Sequence, residues 1–349
     1  MQNEYELLAE ALDKLPNGFP RTQSNVEIAL LQKLFNPEEA RIAGSLGGKF
    51  ETVVDIAARI GLAPKESQSK LLEMAKRGLV WFEKTDGRLR FRLAPFIIGI
   101  YESQRETMDP EFAHLFEHYM QEGGAKGIMD YQPALTRVVP TKDTVKSEWI
   151  LPYDDIKAII ASNKRFWAGD CICRIQKANI GERCHFPIGL CLSMAPDDNP
   201  NRPGNITQDE ALDMLDLAEE LGLVHSVSNM QGGLSFVCNC CGCCCGILRG
   251  ITDWGLDASI VQTNYYAEID RDTCSGCGTC VSRCQVKAIS LVENIAVIDI
   301  KRCIGCGLCV SGCPTESAKL LRKPDSEVMP PPVDFAEWEK QRLYNRGIK

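Results

Sequence analysis

Two runs near the C-terminus share one cysteine spacing. Cys274, Cys277, Cys280 and Cys284 read C-x2-C-x2-C-x3-C; Cys303, Cys306, Cys309 and Cys313 repeat it, with Pro314 directly after. Three thiolates two residues apart can surround one small cluster only if the backbone curls tightly around it. Ser275, Gly276, Gly278, Gly305 and Gly307 permit that curl and let amide N–H groups point at sulfur. Disulfide frameworks belong to small secreted chains, and zinc usually takes two C-x2-C knuckles separated by a longer gap. Neither fits two triple runs, each closed by a fourth cysteine, so the spacing predicts two [4Fe–4S] clusters.

The segment 268–322 resembles the two-cluster ferredoxin domain of bacteria, found alone and fused into many redox proteins. In that family the fourth cysteine of each run ligates the other cluster. The resemblance therefore implies one cluster on Cys274, Cys277, Cys280 and Cys313, and a second on Cys303, Cys306, Cys309 and Cys284. Gln285 stands where a proline usually follows the first run. That proline shapes a turn and donates no ligand, so the assignment is unaffected. Eight thiolates for eight irons leave no open iron site, so this unit can move electrons but offers no Lewis acid.

Ten further cysteines lie in 166–250: Cys171, Cys173, Cys184 and Cys191, then Cys238, Cys240, Cys241, Cys243, Cys244 and Cys245. Ten free thiols would be a liability in a reducing compartment, so they are expected to bind metal. Three arrangements are open. One or two more iron–sulfur clusters would join the first four cysteines to those of 238–245. Zinc could draw on His185 or His225 as well, although the spacing matches no zinc knuckle. Cys240-Cys241-Gly242 and Cys244-Cys245-Gly246 each resemble the Cys-Cys-Gly motif of heterodisulfide reductase catalytic subunits, which would imply a catalytic non-cubane cluster. Adjacent cysteines point opposite ways in extended backbone, so the 240–245 run cannot easily serve a single cube. Arg174, directly after Cys173, could offset cluster charge.

The elements that must position these groups read as an α+β chain. Residues 1–100 form a helical, winged-helix-like domain. Helices are expected over Val26–Phe35, from Pro37, over Thr52–Ile60, and from Lys65 to Arg77. A hairpin through Thr85-Asp86-Gly87 joins Leu79–Glu83 to Arg88–Leu93. Residues 101–165 form a helical connector, with helices over Glu102–Gln121 and Tyr153–Ile160. An irregular cysteine-rich domain follows over 166–250, holding one helix that starts at the capping box Thr207/Glu210. After the ferredoxin-like domain, 323–349 reads as a proline-rich spacer, Pro330-Pro331-Pro332, and a final helix over Asp334–Asn345.

No run of about 18 apolar residues exists to span a membrane. The formal charge of −8 disfavours non-specific nucleic-acid binding and suits docking against a basic patch on a redox partner. Cysteine usage points to the cytoplasm, of an anaerobe. P-loop, G-x-G-x-x-G, G-x-S-x-G and H-E-x-x-H motifs are absent, so electrons must enter and leave through partner proteins such as flavoprotein or metalloenzyme subunits, in an oligomer or larger complex. As a whole the chain resembles the multi-cluster 4Fe–4S binding proteins of anaerobes, which implies low-potential electron transfer. A redox-sensing DNA-binding regulator, acting through residues 52–92, is the rival from another class, and a reductase subunit the third.

Overall fold

The computed structural model describes residues 3–197, 199–200 and 202–348. By internal packing the chain divides into two units, Met1–Tyr131 with Ile175–Arg183 and Arg342–Lys349, and Gln132–Arg174 with Cys184–Gln341.

In the first unit, helices Glu4–Asp13, Val26–Leu34 and Pro37–Gly44 precede a short strand β1 (Glu51–Thr52), helices Val53–Ile60 and Pro64–Lys76, and the hairpin β2 (Val80–Thr85) and β3 (Arg88–Leu93). The sheet order is β1-β3-β2, all antiparallel. Thr52 caps its helix through Asp55 N–H, and Gly61 ends it in a left-handed turn. Phe19, Phe96 and Tyr119 pack together beneath, and Tyr101 stacks on Phe116 at 4.0 Å. The helix expected across Glu102–Gln121 is interrupted. Asp109 accepts from Phe112 N–H at 2.8 Å and Pro110 occupies the first turn, so a new helix, Pro110–Tyr119, begins there. The C-terminal residues belong to this unit: Arg342 is fully buried and Arg346 pairs with Asp13 at 2.8 Å.

The second unit contains a five-stranded antiparallel sheet. Its strands are β4 (Thr136–Val138), β5 (Arg165–Gly169), β6 (Cys191–Ala195), β7 (Val224–Ser228) and β8 (Phe236–Cys240), in the order β4-β7-β8-β6-β5. This overturns the expectation of an irregular middle domain. Cys-Leu-Ser-Met-Ala and Phe-Val-Cys-Asn-Cys do alternate at period two, but one alternate position is cysteine, which reads as ligand before it reads as strand. The helix Gln208–Glu220 starts at the Thr207/Glu210 capping box, and Arg137 and Asp154 form a buried ion pair at 3.1 Å. Gln231 holds the proline run, donating through N–H to Pro332 O at 2.9 Å and through Nε2 to Pro331 O at 2.8 Å.

The ferredoxin-like part of this unit has a twofold repeat. β9 (Tyr265–Ile269) pairs with β12 (Ala318–Arg322), enclosing the hairpin β10 (Ile289–Val292) and β11 (Ile295–Ile298) and the short helices Thr279–Arg283 and Leu308–Ser311. Among the described residues no helix is long and apolar enough to cross a membrane.

Candidate metal centres

Each cysteine run turns through two left-handed glycines, Gly276 and Gly278 in the first, Gly305 and Gly307 in the second. A Cβ at Gly276 would stand 2.2 Å from Asn294 O, and one at Gly305 would stand 2.3 Å from Tyr265 O, so the close curl needs glycine at both places. Cys274, Cys277, Cys280 and Cys313 line one open hollow. Cys284, Cys303, Cys306 and Cys309 line another. The structure thus gathers the two cross-linked sets that the ferredoxin resemblance implies. Four thiols around a hollow, with Ala288 N–H donating to Cys284 Sγ at 3.1 Å, fit a thiolate-bound cluster with amide support.

The two sets differ in their surroundings. Cys277 is exposed, and hydrogen bonds with Thr279 hold its thiol below the ordinary value. At Cys313 burial pushes the thiol up, but Ser317 (3.2 Å), Ala318 N–H and Thr315 outweigh it and bring it to about 7. Burial raises Cys284 and Cys306, and pushes Cys309 up to about 12. The first set therefore reaches solvent at Cys277, although its Cys280 is buried, while no thiol of the second set is exposed.

The ten remaining cysteines sort into two groups that interleave in sequence. Six of them form a closed ring of neighbouring thiols: Cys171 lies beside Cys173 and Cys191, Cys191 beside Cys238, Cys238 beside Cys240, Cys240 beside Cys245, and Cys245 beside Cys173. The sheet builds half of it. Cys191 and Cys238 are cross-strand partners on β6 and β8, and Cys240, two residues on, shares their face. Cys171 and Cys173 follow β5 at the start of helix Ile172–Asn179, and Cys245 caps helix Gly246–Thr252. Contacts with Cys173 and Cys191 hold Cys171 well below the ordinary thiol value, while its ring neighbours are raised.

The other four, Cys184, Cys241, Cys243 and Cys244, have their sulfurs all within 4.8 Å of one another. Cys241 directly follows Cys240 yet belongs to this group, as opposite-facing neighbours in extended backbone require. Contacts with Cys243 and Cys244 pull the Cys241 thiol down to about 2. Arg174 lies between the groups. It is 3% exposed and donates to Pro187 O and Asn239 O, both at 2.8 Å, with Cys171, Cys241 and Cys240 close enough to favour its charge. Neither histidine joins the four-thiol group. His225 is buried against Asn239 Oδ1 at 2.7 Å, and burial lowers its pKa; His185 stacks on Phe186.

The role of Gln285 escapes a reading of the sequence alone. Its Oε1 accepts from Gly242 N–H at 2.8 Å and its Nε2 donates to Gly222 O at 2.7 Å. Arg283, two residues earlier, donates to Leu308 O, Glu219 O and Glu220 O. Cys284 is thus flanked by two side chains that fasten the ferredoxin-like part to the cysteine-rich part. The only signal available was the missing proline.

Residues 267–320 match the family model described as a 4Fe-4S dicluster domain. No curated protein matches the chain. The chain carries an iron–sulfur dicluster segment over residues 267–320.

Proposed function

We propose that the protein is a multi-cluster electron carrier in which the six-thiol ring holds a further iron–sulfur centre and the dicluster segment passes electrons to a partner protein. Iron–sulfur clusters in these sites would supply one-electron transfer at low potential. One observation carries the proposal. A single apolar cluster, including Val138, Val224, Leu248, Val286 and Leu308, contains Cys245 of the ring and packs against Cys240, Cys284, Cys303 and Cys306. A second, around Tyr265, Ile289 and Leu320, contains Cys280 and Cys309 and packs against Cys274, Cys284 and Cys303. Water-excluding side chains therefore run without interruption from the ring to the inner set and from there to the outer one. Cys277 brings the outer set to the surface, where the net charge of −8 favours a partner with a basic docking face.

The DNA-regulator reading finds support in the strand order β1-β3-β2 beside two helices, the arrangement of a winged helix. Charge weighs against it. On helix Pro64–Lys76, Lys70 pairs with Glu38 at 2.8 Å, and Arg77 just beyond pairs with Glu39 at 2.6 Å. Arg92 is buried over Trp81 rather than offered to phosphate.

Iron and acid-labile sulfide analysis of protein purified without oxygen tests the carrier proposal. It expects about twelve irons per chain, eight in the dicluster segment and about four in the ring. Eight irons with no more sulfide than two clusters need would overturn the third centre. Salt-sensitive, sequence-selective retardation of genomic fragments that changes with redox state would replace the carrier with the regulator.

A further inference from the structure

We infer that Cys184, Cys241, Cys243 and Cys244 form a closed mononuclear site for zinc, separate from the iron–sulfur centres. The sulfur spacing decides how many metal atoms a thiolate set encloses. A tetrahedral ion with metal–sulfur bonds of about 2.3 Å places its ligand sulfurs ~3.8 Å apart. Here Cys243 and Cys244 stand at 3.7 Å, and all four sulfurs lie within 4.8 Å of one another. A cubane instead gives each thiolate its own iron, so its four ligands must surround a hollow, as the two dicluster sets do. Among the described residues no other set of His, Cys, Asp or Glu gathers its ligand atoms this tightly.

The donor set suits the ion. Four thiolates and no open position describe a structural zinc site, and a tetrathiolate of this divalent ion carries two negative charges. The nearby Arg174 guanidinium offsets part of that charge in a setting where Cys241 and Cys244 are buried. Leu190, Ala218 and Leu223 pack around those two thiols and exclude water.

The position gives the ion a task. Cys241, Cys243 and Cys244 lie on the loop between Cys240, which ends β8, and Cys245, which caps the next helix. Both flanking cysteines belong to the ring. Fixing the loop to Cys184 fixes the separation of two ring thiols and presents Gly242 N–H to Gln285. Zinc has no redox chemistry, so it would order the ring without competing for its electrons.

The test uses the full-length protein, purified without oxygen. Elemental analysis should give one zinc per chain in addition to iron, and absorption spectroscopy at the zinc edge should show four sulfurs at about 2.3 Å. Cys243→Ser, at the most exposed of the four, should lower zinc at least tenfold and leave the iron of the dicluster segment in place. If that variant does not accumulate, the wild-type zinc edge still decides. Absence of zinc, nitrogen or oxygen ligands at its edge, or loss of iron in place of zinc from Cys243→Ser would each overturn the assignment. Failure of the dicluster assignment would show separately, as fewer than about eight irons with zinc present.

Discussion

The cysteines of 274–313 and those of 171–245 hold metal-binding thiols by opposite means. In the first region short helices and left-handed glycines hold eight sulfurs around two hollows. In the second, strands β6 and β8 and the loop running on to Cys245 bring seven cysteines up to Cys171, Cys173 and Cys184, six of the ten forming a ring and four a tight group. Curled backbone keeps thiols facing a common centre from a distance. Paired strands bring them directly opposite one another, and a run of adjacent cysteines is divided between two faces.

The largest effects should come from removing ligands of unequal burial. Cys306→Ala takes away a thiol packed against the apolar cluster around Val286 and Leu308 and should cost about four irons, together with a large fall in the unfolding midpoint. Cys277→Ala, at the exposed edge, should cost as much iron with a smaller fall in midpoint. Equal falls would remove the distinction between an inner and an outer set. Anaerobic thermal unfolding followed by circular dichroism, beside metal analysis, reads both.

The seam between the regions should be next in sensitivity. A Cβ on Gly242 would stand 2.0 Å from Gln285 O, so Gly242→Ala must displace backbone, at about 1–3 kcal/mol. Gln285→Pro restores the residue usual in ferredoxins and removes two hydrogen bonds across the seam. It should cost about 1–3 kcal/mol while leaving the iron count unchanged, as measured by denaturant titration. A neutral or stabilising Gln285→Pro would mean that the two parts do not depend on this fastening.

A smaller effect separates the thiols by acidity. Only the thiolate is alkylated, so at pH 7 iodoacetamide should modify Cys277 and Cys313 of metal-free protein at least tenfold faster than Cys306 and Cys309. The sign follows from the shifts: the first pair is lowered, Cys313 to about 7, and the second raised, Cys309 to about 12. Raising the pH to about 9 should narrow the ratio, because Cys313 is then already ionised. Mass spectrometry of time points gives the order.

What could be read in advance divides along the same line. The hairpin about Asp86-Gly87 and the capping box at Thr207 rest on local rules, and each stands close to where its residues suggest, whereas the crossed grouping of the eight dicluster cysteines comes from the ferredoxin resemblance. The five-stranded sheet was hidden because Cys191 on β6 and Cys238 and Cys240 on β8 read as ligands before they read as strand residues. The division of Cys171–Cys245 depends on strand pairing between residues about fifty apart, Cys191 with Cys238, which no local spacing encodes. Arg174 could be named as a counter-charge, but its burial between two thiol groups is a tertiary fact. Gln285 was visible only as a departure from a pattern.

Electron paramagnetic resonance of the fully reduced protein, with and without Cys238→Ser, tests the central claim most directly: that the ring holds a centre in electronic contact with the dicluster segment. Cys238 touches Cys191 and Cys240 in the ring and lines neither dicluster cavity. The account predicts a spin-coupled spectrum from the wild type that simplifies in the variant to that of two interacting clusters, with about eight irons remaining. Identical spectra and identical iron from both proteins would contradict it.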